Sequence, residues 1–168
     1  QVEHPVSEAV TGIDLVQWQL LVAAGGAIPK TQGQITLSGH AFEARLYAED
    51  PANDFLPATG TLQHLKFPEI ARADTGVRAG DAISPYYDPM IAKIIVHGAD
   101  RETALSQLSA ALLATEVAGT RTNLAFLGNL ARHRDFAAGD VDTGLIARDL
   151  EQLTRLEPAN EHAIALAA

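Results

Sequence analysis

The chain has 168 residues, 47% of them apolar and 20% charged, so it can bury a core and is not disordered. A net charge of −9 argues against nucleic acid and anionic membranes as partners, and zero cysteines exclude disulfides, thiolate metal sites and cysteine nucleophiles. No apolar run reaches the ~18–20 residues of a membrane span.

The chain opens Gln-Val-Glu-His, without an initiator Met or a signal-peptide pattern, and reads as a piece of a longer protein. The absence of cysteine suits a cytoplasmic setting. Residues 6–25 read helical in two steps. The first, from Val6, stops at Gly12; the second is capped by Asp14 and runs from Leu15 to Ala24, with Gly25-Gly26 as its stop. Val16, Leu20, Ala23 and Ala24 share its apolar face and are expected to meet a core. Over 39–49 the period changes to two. Phe42, Ala44, Leu46 and Ala48 alternate with Glu43, Arg45, Tyr47 and Glu49, which predicts a half-buried strand that stops at Asp50.

Shorter strands follow at Gly60–Phe67 and Arg72–Val77, with a turn at Arg78-Ala79-Gly80-Asp81. Met90–His97 is nearly continuous in Ile, Ala and Val and predicts a strand buried on both faces. The rigid loop Pro85-Tyr86-Tyr87-Asp88-Pro89 precedes it. Asp100 caps a helix whose stripe is Ala104, Leu105, Leu108, Ala111 and Leu112. Thr122 or Asn123 caps another, with Leu124, Leu127 and Leu130 inward, ending before Gly139; a third spans Thr143–Leu153. Helices, then strands, then helices predict an α+β fold with a small, mostly antiparallel sheet.

The polar strand face of Glu43, Arg45 and Tyr47 is the best place for chemistry, although pattern alone favours a solvated face over a cleft wall. Gln1, Glu3 and His4 gather an amide, a carboxylate and an imidazole before a Pro-marked helix start. A carboxylate there could act as a base or merely complement the helix dipole. The six His show no metal-binding spacing, and Arg132-His133-Arg134 reads as a solvated basic patch. Tyr86 and Tyr87 read as packing or turn residues.

Taken in order, these motifs resemble a known family. Gln-Val-Glu-His-Pro-Val at 1–6, Thr-Gly-Ile-Asp-Leu-Val at 11–16, Gly-His-Ala-Phe-Glu-Ala-Arg at 39–45 and Ala-Glu-Asp-Pro at 48–51 come first. Phe-Leu-Pro-Ala-Thr-Gly at 55–60, Asp-Thr-Gly-Val at 74–77 and Tyr-Tyr-Asp-Pro-Met-Ile-Ala-Lys at 86–93 follow, with Asn123 in register after Thr120-Arg121-Thr122. The series resembles the C-terminal part of the biotin carboxylase component of biotin-dependent carboxylases, over roughly residues 1–153. Residues 47–60 are most similar to alpha subunits of the methylcrotonyl-CoA and geranyl-CoA type, with propionyl-CoA and acetyl-CoA carboxylases left open.

The resemblance implies an ATP-grasp ligase that uses MgATP and bicarbonate to carboxylate N1 of biotin. Glu3 would be the base toward bicarbonate, which Gln1 and the N–H of Val2 would hold. Arg45 would face the ureido oxygen of biotin and stabilise charge there, with Glu43 and Asp88 as supporting groups. Because a free Glu near 4.3 is a weak base, Glu3 is expected to be partly desolvated or to have its proton transfer coupled to later steps.

On this reading residues 1–30 end the ATP-grasp region, 31–153 form the C-terminal domain, and 154–168 are a linker or the start of a further unit. ATP and Mg²⁺ would bind mainly upstream, and no metal site is expected in these residues, so the chain alone would be inactive. Its partners would be a biotin carboxyl carrier domain, a carboxyltransferase subunit and a second copy of itself, with Arg72 a candidate contact. Two rival readings stay open: a structural or dimerisation module, and another ATP-grasp ligase with a different acceptor.

Overall fold

The computed structural model describes residues 4–156. Helix α1 (Pro5–Thr11) starts on Pro5 and ends at Gly12, whose φ of 64° supplies the left-handed stop. Asp14 caps α2 (Leu15–Ala23) by accepting the Gln17 N–H at 2.8 Å. Strand β1 (His40–Tyr47) leads to the small hairpin of β2 (Glu49–Asp50) and β3 (Leu56–Pro57). Then come β4 (Gly60–Thr61), β5 (His64–Lys66), β6 (Arg72–Thr75), β7 (Ala82–Ile83) and β8 (Met90–Gly98). Helix α3 (Arg101–Ala114) is capped by Asp100, and β9 (Glu116–Ala118) precedes four short helices. These are α4 (Leu124–Ala131), α5 (Arg134–Ala138), α6 (Leu145–Arg148) and α7 (Leu150–Leu153).

All pairings among the described residues are antiparallel. The main sheet has the order β1-β8-β6, so the most apolar strand lies in the middle and is covered on both faces. Three two-stranded pairs, β2-β3, β4-β7 and β5-β9, surround it. The buried residues of α3 are Ala104, Leu105, Leu108, Ala111 and Leu112, the predicted stripe. They pack with Ala44 and Leu46 of β1 and Ala92, Ile94 and Val96 of β8. This is the expected helix–sheet–helix order of an α+β fold.

Several local readings change. Gly60–Phe67 is two strands, because β4 pairs with β7 while β5 turns to β9. The helix expected over 123–139 breaks at Arg132–His133, where the buried His133 ring accepts the Asp135 N–H and starts α5 anew. Residues 143–153 likewise form two helices. On α2, Val16 and Leu20 are 57% and 68% exposed, and no residue of the helix is fully buried, Leu15 and Trp18 being half-buried. Helical period fixes which residues share a face, not what covers it. Tyr86 and Tyr87 are exposed, so of their two readings the turn holds and the packing does not.

Arg101 ties α3 to α5 and β1. It donates to the Phe136 carbonyl and stands 4.9 Å from the Phe42 ring centroid and 5.6 Å from that of Phe136. Its buried Nε has no hydrogen-bond partner among the described residues. Arg101→Met keeps the apolar stem and removes that orphaned donor. The expected cost in urea unfolding is therefore about 1–2 kcal/mol, below that of a fully satisfied buried arginine.

Candidate functional site

The pleat sends Ala44 and Leu46 toward α3 and puts Glu43 and Arg45 on the opposite face. Register then assembles a charged row. Arg45 stands opposite Lys93, and Lys93 opposite Asp74; Glu43 and Arg72 both stand opposite Ile95. Helix α1 packs against β1 and β8, and a cavity of about 390 Å³ lies among its cap residue His4, its residues Pro5 and Glu8, and the sheet residues Arg72, Asp74 and Lys93.

Two cations directly opposite each other destabilise a sheet that has no other use for them. Here the acids are arranged around them. Glu43 Oε1 accepts from Arg45 Nε at 2.8 Å, with Glu43 only 12% exposed and Arg45 43% exposed. That bond holds the guanidinium above its usual pKa and fixes its plane. Arg72 is gripped by Asp74 at 2.7 Å and by Glu8 at 2.9 Å, and the Asp74 bond first, then Glu8, raises its pKa. The result is a half-open face on a rigid sheet, where the three cations Arg45, Arg72 and Lys93 stand among the three carboxylates Glu43, Glu8 and Asp74.

A second cavity, of about 240 Å³, lies at the outer edge of β1 against α4 and includes Arg45, Glu49 and Asn123. Burial pushes the Glu49 carboxyl above its usual range, opposed by a hydrogen bond from Asn123.

Of the expected site residues, Arg45 and Glu43 come together on this face. Asp88 lies in the loop before β8, where Oδ1 accepts the Met90 N–H at 2.9 Å. Gln1, Val2 and Glu3 lie outside the described residues, as do 157–168. His4 caps α1 by position, without a side-chain hydrogen bond. Lys93 escaped the sequence reading. Its signal was there: one charge inside an otherwise apolar strand.

His133, Asp135 and Asp149 bring ligand atoms within 4.8 Å of one another, away from this face. His133 Nδ1 accepts the Asp135 N–H at 3.3 Å and Nε2 lies 3.2 Å from Asp149, so both ring nitrogens are engaged. The expected solvated patch is thus solvated only at Arg132 and Arg134. No helix among the described residues is long and apolar enough to cross a membrane.

The sequence profile of the biotin carboxylase C-terminal domain matches residues 43–148. The chain belongs to that family. The profile of the carbamoyl-phosphate synthase L chain ATP-binding domain matches residues 1–31. The mitochondrial methylcrotonoyl-CoA carboxylase subunit alpha of Rattus norvegicus is 52% identical over 156 residues, covering 91% of this chain and 22% of the relative. The biotin carboxylase of Halalkalibacterium halodurans is 42% identical over 160 residues, covering 94% of this chain and 35% of the relative.

Among solved structures, the biotin carboxylase domain dimer of the Hydrogenobacter thermophilus 2-oxoglutarate carboxylase, in complex with MgADP, ADP and bicarbonate, superposes with a TM-score of 0.89. It is 35% identical, over 94% of this chain and 35% of that one. The chain thus spans about a fifth to a third of these proteins. The cytoplasmic expectation is corrected here. The methylcrotonoyl-CoA carboxylase alpha subunits it resembles are mitochondrial proteins, and a lack of cysteine does not distinguish two reducing compartments.

Proposed function

We propose that the chain is the C-terminal part of an ATP-dependent biotin carboxylase that places the carbon of bicarbonate on N1 of biotin, within an acyl-CoA carboxylase. The observation that carries this is Arg45, held in plane by Glu43 beside Lys93 in a member of the biotin carboxylase family. A half-exposed guanidinium on a rigid strand fits the ureido oxygen of biotin, a neutral acceptor that gains negative charge as N1 reacts. The site's cations then stabilise charge without having to reorganise. Glu3 is proposed as the base toward bicarbonate, with Gln1 and the Val2 N–H holding the anion.

The carboxylates on the sheet face, Glu43 and Asp74, are tied to Arg45 and Arg72 and do not fit Mg²⁺. ATP and Mg²⁺ are proposed to bind mainly in the upstream part of the full-length protein, a reading supported by the ATP-binding-domain profile at residues 1–31. The division at residue 30, with 31–153 as the C-terminal domain, is supported by the two profile matches. The proposed acyl-CoA is methylcrotonyl-CoA, supported by the identity with the rat subunit. A biotin carboxyl carrier domain and a carboxyltransferase subunit are the proposed partners.

The test is transfer of labelled bicarbonate carbon to free biotin by the full-length protein with MgATP. Labelled carboxybiotin is expected, and none from residues 1–168 alone. ATP cleavage by the full-length protein with no label on biotin would point to a different acceptor.

A homodimer through this region is part of the proposal, supported by the Hydrogenobacter dimer. Arg72→Glu would set three carboxylates together with Glu8 and Asp74. It is expected to weaken the dimer about 10-fold or more in analytical ultracentrifugation. An unchanged dissociation constant would remove Arg72 from the interface.

A further inference from the structure

Asn123 stands at the start of α4, where Asn commonly caps the helix with its side chain. It makes no such bond. The side chain is spent on β1 instead. Its Oδ1 accepts the Tyr47 N–H at 2.9 Å, and its Nδ2 donates to the Arg45 carbonyl at 3.1 Å and to Glu49 Oε1 at 3.0 Å. Its own N–H donates to the Tyr47 carbonyl at 3.2 Å. One buried residue thus stands in for a neighbouring strand along the outer edge of β1. It does so where the β1-β8 ladder shifts: Leu46 faces Ala92 and Tyr47 faces Met90, leaving Ile91 as the extra residue. A bulge re-aims the side chains beside it, and a slip of one residue would turn Arg45 to the other face of the sheet.

We propose that Asn123, backed by Glu49, is a positioning residue for Arg45 that locks the strand edge on which the biotin-facing guanidinium is carried. The inference rests on the reading of Arg45 given above. In this proposal Asn123 acts through the backbone of β1 and not by contact with biotin. It holds the Arg45 carbonyl and the Tyr47 amide, the backbone on which the guanidinium is carried. Glu49 orients the Asn123 amide, because a carboxylate accepts only from Nδ2 and so leaves Oδ1 for Tyr47.

The test is a double-mutant cycle in the full-length protein with free biotin as the acceptor. Asn123→Ala is expected to lower kcat/KM for biotin about 10- to 100-fold. In an Arg45→Gln background the same change is expected to cost less than about 2-fold, because the group it positions is already gone. A fold defect would lower biotin-dependent and biotin-free ATP cleavage together, whereas lost positioning lowers their ratio. Glu49→Gln keeps an acceptor for Nδ2 and is expected to stay near the parent; Glu49→Leu is expected to follow Asn123→Ala. Should Asn123→Ala not fold, the Glu49 pair run through the same cycle decides. Losses that add in the Arg45→Gln background, or an Asn123→Ala protein with unchanged kcat/KM, would overturn the proposal while leaving Arg45 in place. An Arg45→Gln protein with full biotin turnover would instead overturn the reading beneath it.

Discussion

Arg45→Gln in the full-length protein is expected to lower biotin-dependent turnover by about 10²–10³-fold, the usual loss when a donor aimed at developing negative charge is removed. Gln keeps part of the length and one polar end, but no charge and no fork. The change falls mainly on kcat, because the lost contact strengthens as charge develops on the biotin oxygen. Arg45→Lys restores the charge and not the planar Nε contact with Glu43, so its rate lies between Gln and the parent. Stability changes too, because Glu43 is 12% exposed and loses its partner. The two effects separate by measuring kcat at a temperature where both variants are folded. A variant destabilised but undiminished in kcat would return this strand face to a structural role.

The largest stability effect expected from a single methyl group is at Gly119. Its φ is +109°, and a Cβ there would lie 1.9 Å from the Thr61 carbonyl oxygen and 2.8 Å from the Gln63 nitrogen. Both atoms are backbone, and the Gln63 N–H donates to the Ala118 carbonyl at 2.8 Å. Nothing flexible can yield, so the turn beside β5-β9 must open, next to the fully buried Leu62. Gly119→Ala is expected to cost roughly 3–5 kcal/mol, summed from backbone strain and overpacking. Gly80 is the control. Its φ is +96°, but a Cβ there meets nothing within 4 Å. Gly80→Ala carries the strain alone, about 1 kcal/mol. Thermal unfolding separates them: a fall of about 10 °C for Gly119→Ala against a few degrees for Gly80→Ala. Equal shifts would contradict the packing at Gly119.

The elements visible in the sequence are those whose burial follows a local period. The alternation of β1 placed Arg45 opposite Leu46 in facing, and the α3 stripe matched its five buried residues. Met90–Gly98 was recognisable as a central strand because a chain buried on both faces cannot alternate. What failed depends on pairing at a distance. Residues 60–67 look like one strand, yet β4 and β5 choose partners on opposite sides of Leu62 and Gln63. β9 is three residues long and exists because β5 meets it.

The same divide runs through the site. Arg45 and Glu43 are two residues apart and were readable as neighbours. Lys93 joins Arg45 only through the β1-β8 register. Asn123 looked like a helix start, and nothing local shows that its side chain crosses to β1. The exposed stripe of α2 marks the other limit, since periodicity named its face and not its cover.

The most direct measurement is ADP release by the full-length protein in bicarbonate, with and without free biotin. Biotin is expected to stimulate release, and Arg45→Gln to abolish that stimulation in a folded protein. ADP release that ignores biotin would contradict the account and leave an ATP-grasp ligase with another acceptor.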